Sequence, residues 1–207
     1  MINAIFVLDW VDRGRCYLLP YNMISMEEVG LLYAPTSDTL AKRVSLLRIA
    51  FGIIWAIDAA FKWTPSFQHS YLAQVKAAAQ GQPSWLAWLF HGAESVIRID
   101  PRAFAVATAI VESATAVGLI LGFARRSGYV IGFLFSLVVW ALAEGFGGPY
   151  TAGSTDVGTG IIYAIVFAAL FGLDRAVGPS PWSLDSWLER RWKSWQDVSE
   201  PSRSSSL

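Results

Sequence analysis

Four stretches of about twenty apolar residues leave few folds open to this chain. They run Val44–Trp63, Ala103–Ala124, Gly128–Phe146 and Gly158–Leu173. A bilayer's hydrocarbon core is about 30 Å thick and a spanning helix needs roughly 20 residues. Each stretch is therefore predicted to cross a membrane as a helix, the fourth borrowing residues from the turn before it. Composition agrees: 15% of the 207 residues are charged and 54% hydrophobic, where soluble domains carry about 25% charged residues. Mean hydropathy is +0.42. The expected fold is all-α, an integral membrane four-helix bundle with outer-loop helices and a C-terminal amphipathic interfacial helix. The expected divisions are an N-terminal extension (1–36), a membrane domain (37–176), an interfacial helix (177–198) and a disordered tail (199–207).

Local punctuation supports these limits. Asp100-Pro101 reads as an N-cap followed by proline in the first turn, where its missing N–H is harmless. Ser154, Thr155 or Asp156 can cap the fourth span. Gly122 and Arg125-Arg126-Ser127-Gly128 allow only a tight connection, so spans two and three should be antiparallel neighbours. Orientation follows the basic residues of short loops. Lys42, Arg43, Arg125, Arg126, Arg175, Arg190, Arg191 and Lys193 fall on one side, and Lys62, Lys76, Arg98 and Arg102 are spread over the other. The first group reads as cytoplasmic, which puts both termini on the cytoplasmic side of a plasma membrane. Ile2–Trp10 is too short for a signal peptide and is interrupted by Asp9.

In the long outer loop, Phe67–Ala79 is predicted to form a helix with Phe67, Tyr71, Val75 and Ala78 on one face. Gly81-Gln82-Pro83 breaks it, and Ser84 caps a second segment, Trp85–Phe90. Trp-rich apolar helices lie at headgroup level, either as a plain lid on the bundle or as a gate or docking surface. After Ser180-Pro181, residues Leu184, Trp187, Leu188, Trp192 and Trp195 share a face, which suits an interfacial helix on anionic lipid.

Ionisable groups within spans carry the most information, since each needs a partner or water. Arg48 is placed to snorkel to the headgroups. Asp58 and Lys62 stand i,i+4 and can pair. Glu112 lies near mid-membrane, with Glu144 and Asp156 toward the outer end. Such side chains can converge between facing helices. In one reading Lys62 and Arg102 neutralise the carboxylates and Asp156 is only a cap. In the other, Glu112 or Glu144 exchanges protons with a bound ligand. The Gly-rich turn Glu144–Gly160 offers hydroxyl and backbone N–H groups to an anion but lacks a P-loop ending. The single cysteine, Cys16, excludes an intramolecular disulfide. His69 and His91 lie outside the spans, and no haem, flavin or metal motif is present. Sixteen basic and 16 acidic residues balance, so charge gives no argument for a nucleic-acid partner, and none is expected.

Leu47-Arg48-Ile49-Ala50-Phe51-Gly52-Ile53-Ile54-Trp55 with Ala60-Phe61-Lys62 resembles the first helix of the DoxX/DoxD family. Glu112 with Gly118-Leu119-Ile120-Leu121-Gly122-Phe123-Ala124-Arg125-Arg126 resembles that family's second helix, and the Gly147–Gly160 turn is similar to the DoxD branch. The resemblance covers about residues 40–175. It implies the small membrane subunit of a thiosulfate:quinone oxidoreductase, with quinone as electron acceptor, a second subunit as partner and the lipid bilayer as surroundings. On that footing Glu112 and Glu144 are the candidate catalytic groups, and Asp58, Lys62, Arg102 and Asp156 the candidate quinone- or substrate-binding groups. Lys62 and Arg102 would attract thiosulfate, and Glu112 would take part in quinone protonation. Two other functions fit the sequence: a non-catalytic anchor for a partner enzyme, and a small-solute or proton-coupled transporter, though no internal repeat of the transporter kind is evident.

Overall fold

A computed structural model describes residues 37–148, 156–178, 180–192, 195 and 199. The predicted N-terminal extension, the centre of the Gly-rich turn with Ser154 and Thr155, Lys193 and the predicted tail beyond Ser199 lie outside the described residues. Leu40–Leu207 forms one compact unit.

All described regular structure is helical. Helix α1 is Ser37–Lys62, α2 Pro65–Ala78, α3 Ala87–Ile97, α4 Pro101–Leu121, α5 Arg125–Leu142, α6 Thr159–Val177 and α7 Leu184–Arg191. Among the described residues, α1, α4, α5 and α6 are the helices long and apolar enough to cross a membrane. The protein is a multi-pass membrane protein. Its spans are inside-out relative to a soluble helix. On α4, Ala105, Ala109, Glu112, Ala116 and Leu119 are buried, while Ile110, Val117 and Leu121 are about half exposed. Large apolar side chains exposed along a whole span need lipid around them.

With lipid outside, close packing rather than hydrophobic burial holds spans together, and small residues permit it. Gly132 of α5 lies against the fully buried ring of Phe167 on α6. Gly160 of α6 faces the Ser136 carbonyl oxygen and Trp140 N, where a Cβ would come within 2.8 Å of each. Gly52 of α1 abuts Leu119 and Ile120 of α4, with 2.9 Å left for a Cβ. Around these contacts Phe51, Trp55, Ala116, Leu119, Tyr129, Phe167 and Leu170 form the core.

The caps explain where the helices begin and end. Asp100 accepts from Ala103 N at 3.0 Å and Pro101 opens α4. Gly122, at φ 64° and ψ 48°, ends α4 in the left-handed conformation that glycine adopts without a Cβ penalty. The link Gly122–Ala124 then turns the chain back into α5. Thr64 caps α2, accepting from Phe67 N at 3.4 Å. Ser84 starts a 3-10 turn, Ser84–Leu86, rather than capping the next helix, and α3 continues to Ile97. The α2–α3 pair is fastened to the bundle: the Gln82 amide donates to the Gly145 carbonyl at 2.7 Å, and Tyr71 and Thr108 hydroxyls lie 3.0 Å apart. Trp85 and Trp88 remain exposed. Glu94 takes a hydrogen bond from Arg98, which with Lys76 3.5 Å away holds its carboxyl below the usual glutamate range.

At the opposite end Arg48 does not snorkel. It is fully buried and donates to the carbonyls of Leu119, Ile120 and Trp182. The last carbonyls of α4 have no helical partner and no water is available in a bilayer core, so the guanidinium satisfies them better there than at the headgroups. Arg125, expected as a loop charge, is also buried, 3.0 Å from Asp174 and 3.2 Å from Asp185. Helix α7 is clipped to the bundle through Asp185, whose two oxygens accept from Ala124 N, Arg125 N, Arg125 Nε and Trp195 Nε1 at 2.8–3.2 Å. Leu188 is buried with it, while Trp187 and Trp192 stay exposed.

Candidate functional site

Spans α1, α4, α5 and α6 border a partly open cavity of about 350 Å³ lined by Trp55, Asp58, Lys62, Glu112, Phe135, Ser136, Val139, Glu144, Thr159, Gly160 and Tyr163. Its size falls in the ~300–1,000 Å³ range of small-ligand sites. Each helix brings its polar groups by its own periodicity. On α1 the buried face of Phe51, Trp55 and Ala59 sets Asp58 and Lys62 on the cavity side. On α4, burial of Ala105, Ala109 and Ala116 carries Glu112 inward with them.

The charged groups have definite partners. Lys62 Nζ is 3.8 Å from Glu112 Oε2 and lies 5.2 Å from the centre of the Phe67 ring of α2. Lys62 thus turns to Glu112 rather than to its i,i+4 neighbour Asp58. Asp58 and Tyr163 line the same cavity. Glu144, just past α5, accepts from Gly160 N at 2.9 Å. That carboxylate satisfies an orphan donor at the start of α6, where a negative charge also meets the favourable end of the helix dipole.

Two buried polar atoms of residues that line the cavity make no hydrogen bond among the described residues: Trp55 Nε1, and Glu112 Oε2, which has the Lys62 ion pair alone. Their residues are 3% and 5% exposed. An unmade hydrogen bond at a buried group is costly, and both residues line the cavity, although neither atom is open to a water-sized molecule.

Asp58, Lys62, Glu112 and Glu144 therefore share one cavity. Asp156 and Arg102 do not line it. Asp156 is exposed before α6 and accepts from Gly158 N at 2.8 Å, a turn that leads into the helix, so it is not the expected cap: the N-cap is Gly158, which carries no side chain to cap with. Arg102 is exposed in the first turn of α4, roughly 15 Å along the helix from Glu112 at 1.5 Å per residue. Sequence reasoning gave neither Trp55 nor Tyr163 a place in the site. The available signal for Trp55 was its position within a span, away from the interfacial belts where tryptophan concentrates. Among the described residues no group of three or more His, Cys, Asp or Glu is arranged to hold a metal ion.

Fold and cavity together define the class: a multi-pass helical membrane protein with a polar, acid-rich, partly open cavity between its spans. No family model matches the chain, and no curated protein or solved structure is detectably similar to it.

Proposed function

We propose that the protein is the membrane subunit of a quinone-linked oxidoreductase acting on thiosulfate or a related small sulfur compound, with the cavity as its quinone site. The observation that carries this reading is the unsatisfied Glu112 Oε2, buried in the bundle and 3.8 Å from Lys62. Reducing a quinone to a quinol takes two electrons and two protons. A carboxyl group in a water-poor site, beside an ammonium group, can pass a proton to the quinone oxygen and be reprotonated. The electrons come from the sulfur compound, oxidised at a partner subunit. The resemblance of Leu47–Trp55 and Glu112–Arg126 to the DoxX/DoxD family supports the same reading. Exposed Lys42, Arg43, Arg175, Arg190 and Arg191 favour a cytoplasmic position for that end of the bundle in a plasma membrane.

Glu112→Gln keeps size and polarity and removes the proton. Membranes containing the variant and its partner should lose thiosulfate-dependent quinone reduction while retaining normal amounts of the protein. Wild-type rates in the variant would dismiss Glu112 and this reading of the cavity. A second reading, an anchor for a partner enzyme, draws on the exposed Trp85 and Trp88. It predicts partner co-purification that survives Glu112→Gln and is lost on replacing those tryptophans.

A further inference from the structure

The turn that carries Glu144 has an unusual backbone. Gly145, Phe146, Gly147 and Gly148 follow one another at φ 58°, 66°, 60° and 62°. Glycine adopts this left-handed region freely, whereas a bulky side chain persists there only when its surroundings hold it. Phe146 is held from two sides. Its ring meets Trp140 of α5 edge-on at 5.2 Å and Phe90 of α3 at 6.4 Å, centre to centre. It packs on the buried outer-loop cluster of Ala78, Leu86 and Phe90. One residue earlier, the Gly145 carbonyl accepts from the Gln82 amide at 2.7 Å.

The same turn fixes the carboxylate. Gly147 N donates to the Glu144 carbonyl at 2.9 Å, and Gly148 N to the Asp156 carbonyl at 2.8 Å. The Glu144 carboxylate then accepts from Gly160 N at 2.9 Å and lies against Gly158, where a Cβ would collide with it. Lys62, from another span, has a parallel support: its Nζ lies over the Phe67 ring of α2, 5.2 Å from the centre. Two charged side chains of the cavity therefore depend on the outer-loop helices.

We infer that the α2–α3 pair is a positioning element of the cavity rather than a plain lid. Phe90 and Gln82 hold Phe146 and Gly145, and that hold sets where the Glu144 carboxylate stands. Phe146 is the positioning residue and acts through Glu144. The inference goes beyond the quinone reading, because any occupant of the cavity meets Glu144 where this contact puts it. Undocking the pair releases Glu144 from Gly160 N and takes the Phe67 ring from Lys62. Occupancy of the cavity and docking of the outer loop are then linked in both directions.

The test uses the full ¹⁵N-labelled chain in mild detergent with no quinone present, and reads the Gly160 amide, which reports the Glu144 contact directly. Phe146→Gly removes the ring and relieves the backbone strain. A turn that shapes itself would keep its geometry in this variant, and Gly160 would exchange at the wild-type rate. A turn held from α3 loses it: Gly160 exchange should rise about tenfold, the scale of one buried hydrogen bond, and its proton resonance should move upfield. Phe90→Ala, on α3 and remote from the turn in sequence, must reproduce both changes. A packing role confined to the outer loop would speed exchange in α3 and leave Gly160 alone. Should Phe90→Ala not fold, Gln82→Leu takes its place by removing the Gly145 contact. Wild-type behaviour of Gly160 in Phe146→Gly or in the α3-side variant overturns the inference. A Gly160 amide moved by both, together with an active Glu112→Gln enzyme, would sustain this inference and end the quinone reading. An unmoved Gly160 with an inactive Glu112→Gln enzyme would do the reverse.

Discussion

Asp185→Asn should release the C-terminal helix from the bundle. Asp185 is fully buried and accepts four hydrogen bonds, from Ala124 N and Trp195 Nε1 on Oδ1 and from Arg125 N and Nε on Oδ2. Asparagine offers one acceptor oxygen, so at least two of these donors must then face an NH₂ group. Hydrogen bonds to a charged acceptor contribute about 1.5–3 kcal/mol each, and loss of two gives a nominal ~3–6 kcal/mol. Breaking one side of a buried ion pair independently gives about 3–5 kcal/mol. Arg125 keeps Asp174 at 3.0 Å, which places the expected loss near the lower end, about 3 kcal/mol. Amide exchange in detergent or nanodiscs reads this directly. Protection of α7 and of the first turn of α5 should drop by about two orders of magnitude, while mid-span amides of α4 stay slow. If α7 exchanged at the wild-type rate, the carboxylate would not be what fastens it, and lipid contacts of Trp187 and Trp192 would carry the load instead.

Gly132→Ala should destabilise the bundle by about 1–3 kcal/mol, the usual cost of overpacking, because the new methyl group meets the fully buried Phe167 ring. Gly172→Ala, where a Cβ meets nothing within 4 Å, is the matched control and should be neutral or mildly stabilising. A comparison of thermal unfolding in one detergent checks both, and equal effects would refute close α5–α6 packing as the reason. The Glu94 carboxyl is held low in the folded state, mainly by its hydrogen bond from Arg98. Its contribution is present above the ordinary glutamate value of about 4.3 and is lost as pH falls through the lowered folded value. Protection factors of α2 and α3 amides, referred to intrinsic exchange at each pH, should therefore fall on acidification below that value, and Glu94→Gln should flatten the response.

Much of the scaffold was legible because lipid imposes a simple rule: about twenty apolar residues per span and a cap at each end. Asp100-Pro101 and Gly122 mark the two ends of α4 by local chemistry, and they do so in the structure. The spans nonetheless start and stop a few residues from where hydropathy placed them. Helix α5 begins at Arg125 because Asp185, sixty residues later, satisfies its first N–H groups. Arg48 was misjudged for a related reason. Hydropathy sees an arginine near a membrane surface, while the carbonyls that hold it belong to α4 and to the segment before α7. Glu112 and Glu144 were visible as costly charges in or beside apolar helices. Trp55 and Tyr163 were not, since an aromatic residue in a span looks the same whether its polar atom is satisfied or left open.

The sequence alone determined the number of spans, their approximate limits and the presence of carboxyl groups within them, since these follow from local hydrophobicity and capping. Tertiary structure decided which charges meet. Asp58, Lys62, Glu112 and Glu144 come from three different stretches of chain and line one cavity, whereas Arg102 and Asp156, equally plausible by position, are exposed and do not line it. That choice depends on helix rotation and on the few ångströms of approach allowed at Gly52, Gly132 and Gly160, and no local run of residues encodes it.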